Sequence, residues 1–457
     1  MSEARGAPPL VAIVGSGFSG TMVAAHLLRE ASEPLAVALI ERGPSAGGVA
    51  YRTDDPGHLL NVPAGGMSAF PDVPDHFLDW ARARAGGETG PDSFLPRRLY
   101  GEYLAAILDE AAASSGGGRL ERLRDEAVSV RPGPCGAEVR LRSGRVLHAR
   151  RVALALGNFI PASPLPPGSS LAASPRYVPN PWAPGALAAV SAGDPVVLIG
   201  AGLSMADLVS TLAARGHRAP IHALSRRGLR LQPHAAGSPY PPFLLPGSAP
   251  RTTRALLRAV RDETRSARAR GRGWREVLDS LRPHVPALWR SLDEAEQARF
   301  LRHVRVYWDA HRHRLPPTVF GVLEGLRAAG RLNFLAARIV SARAAAGGVE
   351  LELRRRGAAA AEVLRATWAI NCTGPRGDLE ALDEALVADL LRRGLISPDA
   401  HRLGARTGAD GALLDADGRA SDVLFTLGPP RRGTLWESTA VPELRAQAAA
   451  LARRLGG

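Results

Sequence analysis

The stretch Leu10-Val-Ala-Ile-Val-Gly-Ser-Gly-Phe-Ser-Gly20 constrains the fold more than any other part of this chain. Its apolar run, Leu10 to Val14, is too short for a helix and suits a strand covered on both faces. Gly15, Gly17 and Gly20 then supply a tight turn, close approach of the backbone to a diphosphate, and close packing of the next helix on the strand. That helix, read over Thr21 to Glu30, aims its N-terminal amides at the diphosphate. The following apolar run, Leu35 to Ile40, ends in Glu41, where a carboxylate accepts hydrogen bonds from a ribose diol.

Composition narrows the classes. A chain of 457 residues with 45% hydrophobic content is long enough for two or three domains with ordinary cores. The first nine residues lack a basic region followed by an apolar run, so no leader is expected. No segment approaches a membrane span, and a cytoplasmic protein without a membrane partner is the simplest expectation. Cys135 and Cys372 are the two cysteines, so neither a disulfide framework nor a CxxC redox pair is available. The formal charge of +14 is carried by arginine alone, because the sequence contains no lysine. That excludes a P-loop lysine and Schiff-base chemistry on lysine. The arginines are scattered among alanines and glycines, which reads as composition bias rather than nucleic-acid binding, with acidic ligands such as phosphates as the functional part of the charge. The densest basic run, Arg251 to Arg275, reads as the solvated face of a helix.

After Glu41 come Gly47-Gly48-Val49-Ala50-Tyr51, His58-Leu-Leu-Asn-Val-Pro63 and Met67-Ser-Ala-Phe-Pro-Asp-Val-Pro74. Turn formers dominate, and loops at the carboxyl ends of such strands are where ligands sit. Asn61 has two readings of equal weight: a group that bonds a flavin ring edge or nicotinamide amide, or an Asx-turn residue that shapes the loop. Phe94 to Leu104 opens a helix running to about Ala113; Arg97 and Arg98 read first as an ordinary solvated start, with holding a phosphate or capping the loop as the alternative. Strands are expected at Ala127–Arg131, Ala137–Arg142 and Val146–Ala149. A buried strand, Arg151 to Leu156, then ends in Gly157, where a small residue lets a cofactor approach.

A Pro-rich linker, Pro161 to Pro184, closes the first unit, and the pattern begins again. Pro195-Val-Val-Leu-Ile-Gly-Ala-Gly-Leu-Ser-Met-Ala-Asp207 carries Gly200 and Gly202, with Met205 in the third glycine position. The next strand, Ile221 to Leu224, ends in Ser225-Arg226-Arg227 rather than in an acid. Arginines there form charge-assisted bonds to a 2′-phosphate, each worth about 1.5–3 kcal/mol, so this second site should prefer NADPH to NADH. From Ser248 to about Pro316 the chain reads as a charged helical insertion, with Trp274, Trp289, Tyr307 and Trp308 as helix-packing aromatics. His311, Arg312 and His313 cluster at its end. His311 and His313 cannot share one helix face and no acid or cysteine pattern completes a metal shell, so anion or substrate recognition and a structural role stay open and no metal is expected. Val349–Arg354 and Val363–Asn371, ending in Cys372-Thr373-Gly374, repeat the earlier strands that ended at Gly157. Cys372 reads as a small buried residue. A last strand, Asp422 to Leu427, ends in Gly428 and leads to a helix starting near Pro442, whose N-terminus suits the pyrimidine end of a flavin.

The order Gly15-x-Gly17-x-x-Gly20, Glu41, Gly157, Gly200-x-Gly202, Arg226 and Gly428 resembles the flavoproteins with two dinucleotide-binding domains. His58 to Pro74, Trp308 to Pro317, Asn371 to Pro375 and Gly428 to Arg445 look like a bacterial family of FAD/NAD(P)-binding oxidoreductases. Asn61-Val-Pro63 with Phe70-Pro-Asp72 is similar to the loop of flavin-containing and N-hydroxylating monooxygenases whose asparagine lies by the flavin ring. The resemblance implies an α/β fold with two Rossmann-like domains of the glutathione-reductase kind. The expected division is an FAD-binding part over residues 1–165, an NADPH-binding domain over 166–375 with the insertion at about 248–316, and an FAD-binding return over 376–457. Cofactor contacts then fall on Gly15, Gly17, Phe18, Ser19, Gly20, Glu41, Arg42, Gly48, Val49, Tyr51, Asn61, Met67 and Gly157. They continue through Gly200, Gly202, Ser204, Arg226, Arg227, Thr373, Gly374, Gly428, Trp436 and Val441, with Asn61 also as the catalytic residue and His311, Arg312 and His313 toward substrate. Without CxxC or iron–sulfur cysteines, electrons from a reduced flavin lead by elimination to dioxygen. The implied activity is a monooxygenase consuming NADPH and hydroxylating a small amine or other soft nucleophile through a flavin hydroperoxide. The alternatives are an NADPH-dependent flavin dehydrogenase or reductase without oxygenation, and a non-catalytic nucleotide-sensing module. Oligomeric state is not readable from the sequence.

Overall fold

The computed structural model describes residues 8–43, 47–85 and 88–457. The leader expectation falls partly on residues 1–7, outside the described residues. In chain order the strands are β1 (Leu10–Val14), β2 (Leu35–Ile40), β3 (Gly118–Leu123), β4 (Ala127–Gly133), β5 (Gly136–Leu141), β6 (Val146–Ala149) and β7 (Arg151–Leu154). They continue with β8 (Tyr177–Val178), β9 (Val196–Ile199), β10 (Ile221–Ser225), β11 (Leu332–Ala345), β12 (Gly348–Arg355), β13 (Ala361–Ala366), β14 (Trp368–Asn371), β15 (Ala412–Leu414) and β16 (Ala420–Thr426).

They form a six-stranded sheet in the order β15-β16-β7-β1-β2-β3, a seven-stranded sheet in the order β13-β12-β11-β10-β9-β14-β8, and a three-stranded meander β4-β5-β6. The triplets β7-β1-β2 and β14-β9-β10 are equivalent: in each, the strand before the glycine turn runs parallel to both neighbours. Each glycine turn therefore leaves its sheet where the strand order reverses, the place at which open α/β sheets bind ligands. The repeat expected from the sequence is present in three dimensions.

Strand side chains alternate between two cores, as a period of two requires. Val11 and Ile13 face the helices Phe18–Glu30, Arg97–Ala113 and Val441–Gly456, whereas Ala12 and Val14 face the meander and the helix Ala385–Arg392. The helix Phe18–Glu30 is buried along nearly its whole length, from Phe18 to Leu28, because two helices cover it from outside. In the second sheet Val196 and Leu198 pack on the helices Leu203–Ala214 and Pro317–Ala328, while Val197 and Ile199 face the β11–β12 ribbon.

Several boundaries differ from the sequence reading. β3 and the 14-residue β11 carried no strong sequence signal, since their charged and alanine residues mask the alternation. Val363–Asn371 is two strands, β13 and β14, because the chain leaves the ribbon after Ala366 and enters the parallel sheet. The Pro-rich linker contributes β8, which pairs with β14. Helices between Thr253 and Arg312 form the insertion. No helix of the described residues is long and apolar enough to cross a membrane.

Gly20 tests the packing at the first turn. A Cβ there would fall on the Gly15 carbonyl oxygen, which is backbone and cannot swing aside. Gly20→Ala is expected to cost about 1–3 kcal/mol, measured as a lowered Tm, whereas Gly193→Ala, with open space at its Cβ, should leave Tm unchanged.

Candidate functional site

Two helix N-termini set up the site. The helices Phe18–Glu30 and Leu203–Ala214 begin after Gly17 and Gly202, and neither N-cap offers a side chain to its first-turn amides. Other helices vary: Thr252 and Asp293 accept from the amides of Ala255 and Glu296, whereas the helices Arg97–Ala113 and Ala385–Arg392 also lack a side-chain cap. The uncapped amides at the two glycine turns are free for an external anion.

Around the first turn, a cavity of about 230 Å³ is lined by Gly15, Gly17, Phe18, Ser19, Glu41 and Arg42, and by Gly48, Val49, Tyr51 and Gly157. Gly15 takes φ 102° and donates to the Ile40 carbonyl at 2.8 Å. A Cβ on Gly157 would meet nothing within 4 Å, so this glycine borders open space. Glu41 is fixed by its own loop: it accepts from the Ser16 amide and hydroxyl, both at 3.0 Å, and from the Gly43 amide at 2.8 Å. An ionised carboxylate has about four acceptor sites, so one remains for a diol. These features fit the diphosphate and ribose of a dinucleotide. Arg42 has a partner already, Glu384 at 2.9 Å, and ties the first unit to the C-terminal return. Thr439 and Leu444 close the cavity from the start of the helix Val441–Gly456, a wall that the sequence reading had placed only through Val441. Val441 itself is buried beneath it. Gly428 approaches Ser19, Gly20 packs against the turn, and buried Met67 accepts from the Tyr100 hydroxyl through its carbonyl at 2.9 Å.

The second cavity, about 710 Å³, is lined by Gly200, Gly202, Arg226, Arg227, Arg305, Asp309 and Thr373. A Cβ on Gly200 would fall on the Cys372 carbonyl, while Gly202 and Gly374 face open space. Ser204 lies in the first turn of the helix beyond Gly202. Burial pushes the Cys372 thiol far above its ordinary value, which leaves it inert. Arg227 donates to the Tyr307 hydroxyl at 2.8 Å. Tyr307 is thus an exposed surface partner of this cavity, unlike Trp289, which packs as expected.

The loop carrying Asn61 is clamped between the two units. His58 Nε2 and the Thr211 hydroxyl are 2.9 Å apart, and His58 Nδ1 lies 2.6 Å from the Thr53 hydroxyl. Arg97 pairs with buried Asp207 at 2.9 Å and donates through Nε to the Leu59 carbonyl at 3.0 Å. His234 Nε2 donates to the Asn61 carbonyl at 2.9 Å, and its ring packs on Phe94. Arg97 is therefore a partly buried inter-unit residue rather than a solvated helix start, while Arg98 is exposed and pairs with Glu102 at 3.5 Å. His58, Arg97, Asp207, Thr211 and His234 were missed as a group because partners lie 100 or more residues apart in several of these bonds.

The C-terminal tract departs from expectation. Trp436 does not face the first cavity: it is buried against Trp289 and Phe300, with ring centroids 5.3 and 5.6 Å away, and joins the insertion to the return segment. His311 packs its ring on Trp274, and Arg312 pairs with Glu437 at 3.5 Å. The chain does bring acids to His313: Asp309 at 4.0 Å and Glu437 at 3.8 Å, the latter from 124 residues away in sequence. Glu437 reaches His313 only through this tertiary contact, which spacing along the helix does not show. Arg305 and Arg312 pair with the other oxygens of the same two carboxylates, Asp309 Oδ2 and Glu437 Oε2.

Two dinucleotide-binding units on a doubled β-sheet scaffold define the fold of the two-domain flavoproteins. Residues 12–159 match a family model described as FAD-NAD(P)-binding. Over 254 residues the chain is 30% identical to an L-aspartate N-monooxygenase (nitrosuccinate-forming) of Streptomyces davaonensis, covering 44% of this chain and 38% of that protein. It is 27% identical over 332 residues to a nitrosuccinic acid synthase of Aspergillus oryzae, covering 64% of this chain and 47% of that one. The chain thus spans less than half the length of these relatives. Its fold is similar to that of L-lysine 6-monooxygenase from Pseudomonas syringae, with a TM-score of 0.66, 17% identity, and coverage of 97% and 98% of the two chains.

Burial holds His58 and His234 below the ordinary histidine value of 6.5. At His58, Asp207 and Asp55 oppose that shift and Arg97 adds to it. The unfolded chain takes up protons near pH 6.5 that the folded seam refuses, so stability is present above that pH and is lost as pH falls through it. Tm should drop between pH 7.5 and 5.5, and His58→Gln should flatten part of that drop.

Proposed function

We propose that this chain is an FAD- and NADPH-dependent monooxygenase that hydroxylates the nitrogen of a small amine. The observation that carries the reading is the contrast between the two cavities: the acid Glu41 at the first and the arginines Arg226 and Arg227 at the second, in units that meet at the Asn61 loop. A carboxylate suits the free ribose diol of FAD, and guanidinium groups suit the 2′-phosphate of NADPH. FAD bound at the first unit supplies the chemistry, passing electrons from NADPH to dioxygen. The overall balance is RNH2 + NADPH + H⁺ + O2 giving RNHOH + NADP⁺ + H2O.

The chain's own residues position and shield. Uncapped amides after Gly17 and Gly202 would hold the two diphosphates, Glu41 and Arg226 would select the nucleotides, and the loop clamped through the Asn61 carbonyl would hold the Asn61 side chain for the flavin. The fold likeness to an amine monooxygenase supports this scheme, and the names of the two relatives make acidic amino acids the first substrates to test.

The test is NADPH oxidation by the purified protein with oxygen uptake and hydroxylamine product measured together. Substrate-dependent uptake with matching hydroxylamine is expected. NADPH oxidation that makes no hydroxylated product would turn the reading to a flavin reductase, and nucleotide binding without oxidation to a sensing module. In the expected case Asn61→Ala should lower hydroxylamine formed per NADPH at least several-fold while the protein retains its flavin.

A further inference from the structure

Beside the second nucleotide cavity lies another, about 830 Å³, which shares Arg226, Arg227, Arg338 and Ile339 with it. Its wall also holds Arg302, Arg354 and Arg356, and it includes no aspartate or glutamate. Among the described residues, the side chains of Arg226, Arg302, Arg338, Arg354 and Arg356 have no acidic partner. Abundance of arginine does not account for this, because the same ribbon pairs its other arginines with acids. Glu350 stands between Arg343 and Arg365, and Arg355 is joined to Glu362.

The register makes the contrast sharper. Arg338 on β11 and Arg354 on β12 are direct cross-strand partners, a like-charged pair in a position where strands ordinarily place opposite charges. One strand over, Ser225 of β10 is level with Ala336 of β11, so Arg226 and Arg227 leave the sheet beside Arg338. Neighbouring strands are about 4.7–4.9 Å apart. Guanidinium groups from three adjacent strands therefore converge on one solvent-facing groove that continues from the nucleotide cavity.

We propose that Arg338 and Arg354 are specificity residues of the second dinucleotide site, completing with Arg226 a three-strand clamp on the 2′-phosphate. The inference rests on the NADPH reading of that site and extends it to the antiparallel ribbon. A dianionic phosphate relieves the Arg338–Arg354 repulsion, and planar guanidinium forks from separate strands can each present paired donors to its oxygens. A nucleotide without the 2′-phosphate gains none of this.

Equilibrium titration of the flavin-loaded protein with NADP⁺, NAD⁺, 2′,5′-ADP and 5′-AMP at one fixed ionic strength tests the clamp. Arg338→Ala and Arg354→Ala should each weaken NADP⁺ and 2′,5′-ADP about tenfold and leave NAD⁺ and 5′-AMP within about twofold. Arg338→Lys should recover part of the loss, and Arg343→Ala, on the same ribbon with its own acid, should change neither. Equal weakening of both nucleotide pairs, or no change where Arg226→Ala abolishes the preference, overturns the clamp and leaves the NADPH reading intact. Equal affinity of the unaltered protein for NADP⁺ and NAD⁺ overturns both.

Discussion

The arrangement of the two nucleotide units depends on the pair formed by partly buried Arg97 and buried Asp207. Asp207 lies on the helix that follows the second glycine turn, and Arg97 on the helix that follows the Asn61 loop. Burial pushes the Asp207 carboxyl up and the adjacent guanidinium opposes it. Such a pair is weak as a source of stability, because desolvation offsets much of the attraction. Its value is geometric. An arginine that also donates to the Leu59 carbonyl leaves the loop few ways to sit, and His58 on Thr211 and His234 on Asn61 remove more of them. The residue expected to face a flavin ring is held by the opposite unit.

This explains which parts of the molecule were legible in the sequence. The glycine turns, Glu41, Arg226 and the terminal strand glycines are local: each is a few residues whose type and spacing carry their own physical reason. Repetition of the unit raised their weight, and the equivalent triplets in the two sheets follow from it. The seam was not legible, since Arg97 and Asp207 are separated by 110 positions and each alone looks like a surface charge. The His313–Glu437 approach was hidden for the same reason, and spacing arguments about His311 and His313 addressed only one helix. Trp436 shows the converse error. The family resemblance made Trp436 a cofactor contact, yet its apolar ring packs with the insertion, against Trp289 and Phe300. β11 escaped notice because its outward positions carry arginine and alanine, and the apolar half of its alternation is short-sided.

Arginine abundance is the feature most easily misread in this chain. In many places it is neutralised locally, as by Glu126, Glu121, Glu443 or Asp279. Net charge therefore says little about ligands, and the distribution of acids says more. At the first glycine turn an acid is built in and saturated on one side by Ser16 and Gly43. At the second, acids are withheld across the ends of three strands, although the same ribbon carries them a few residues away. Two units with one shared plan can hold different nucleotides if the charge at the end of the second strand differs, because a glycine turn and helix amides suit the diphosphate common to both. The discriminating chemistry must then lie at the sheet edge beyond that turn, which is where this chain has left its cations unpaired.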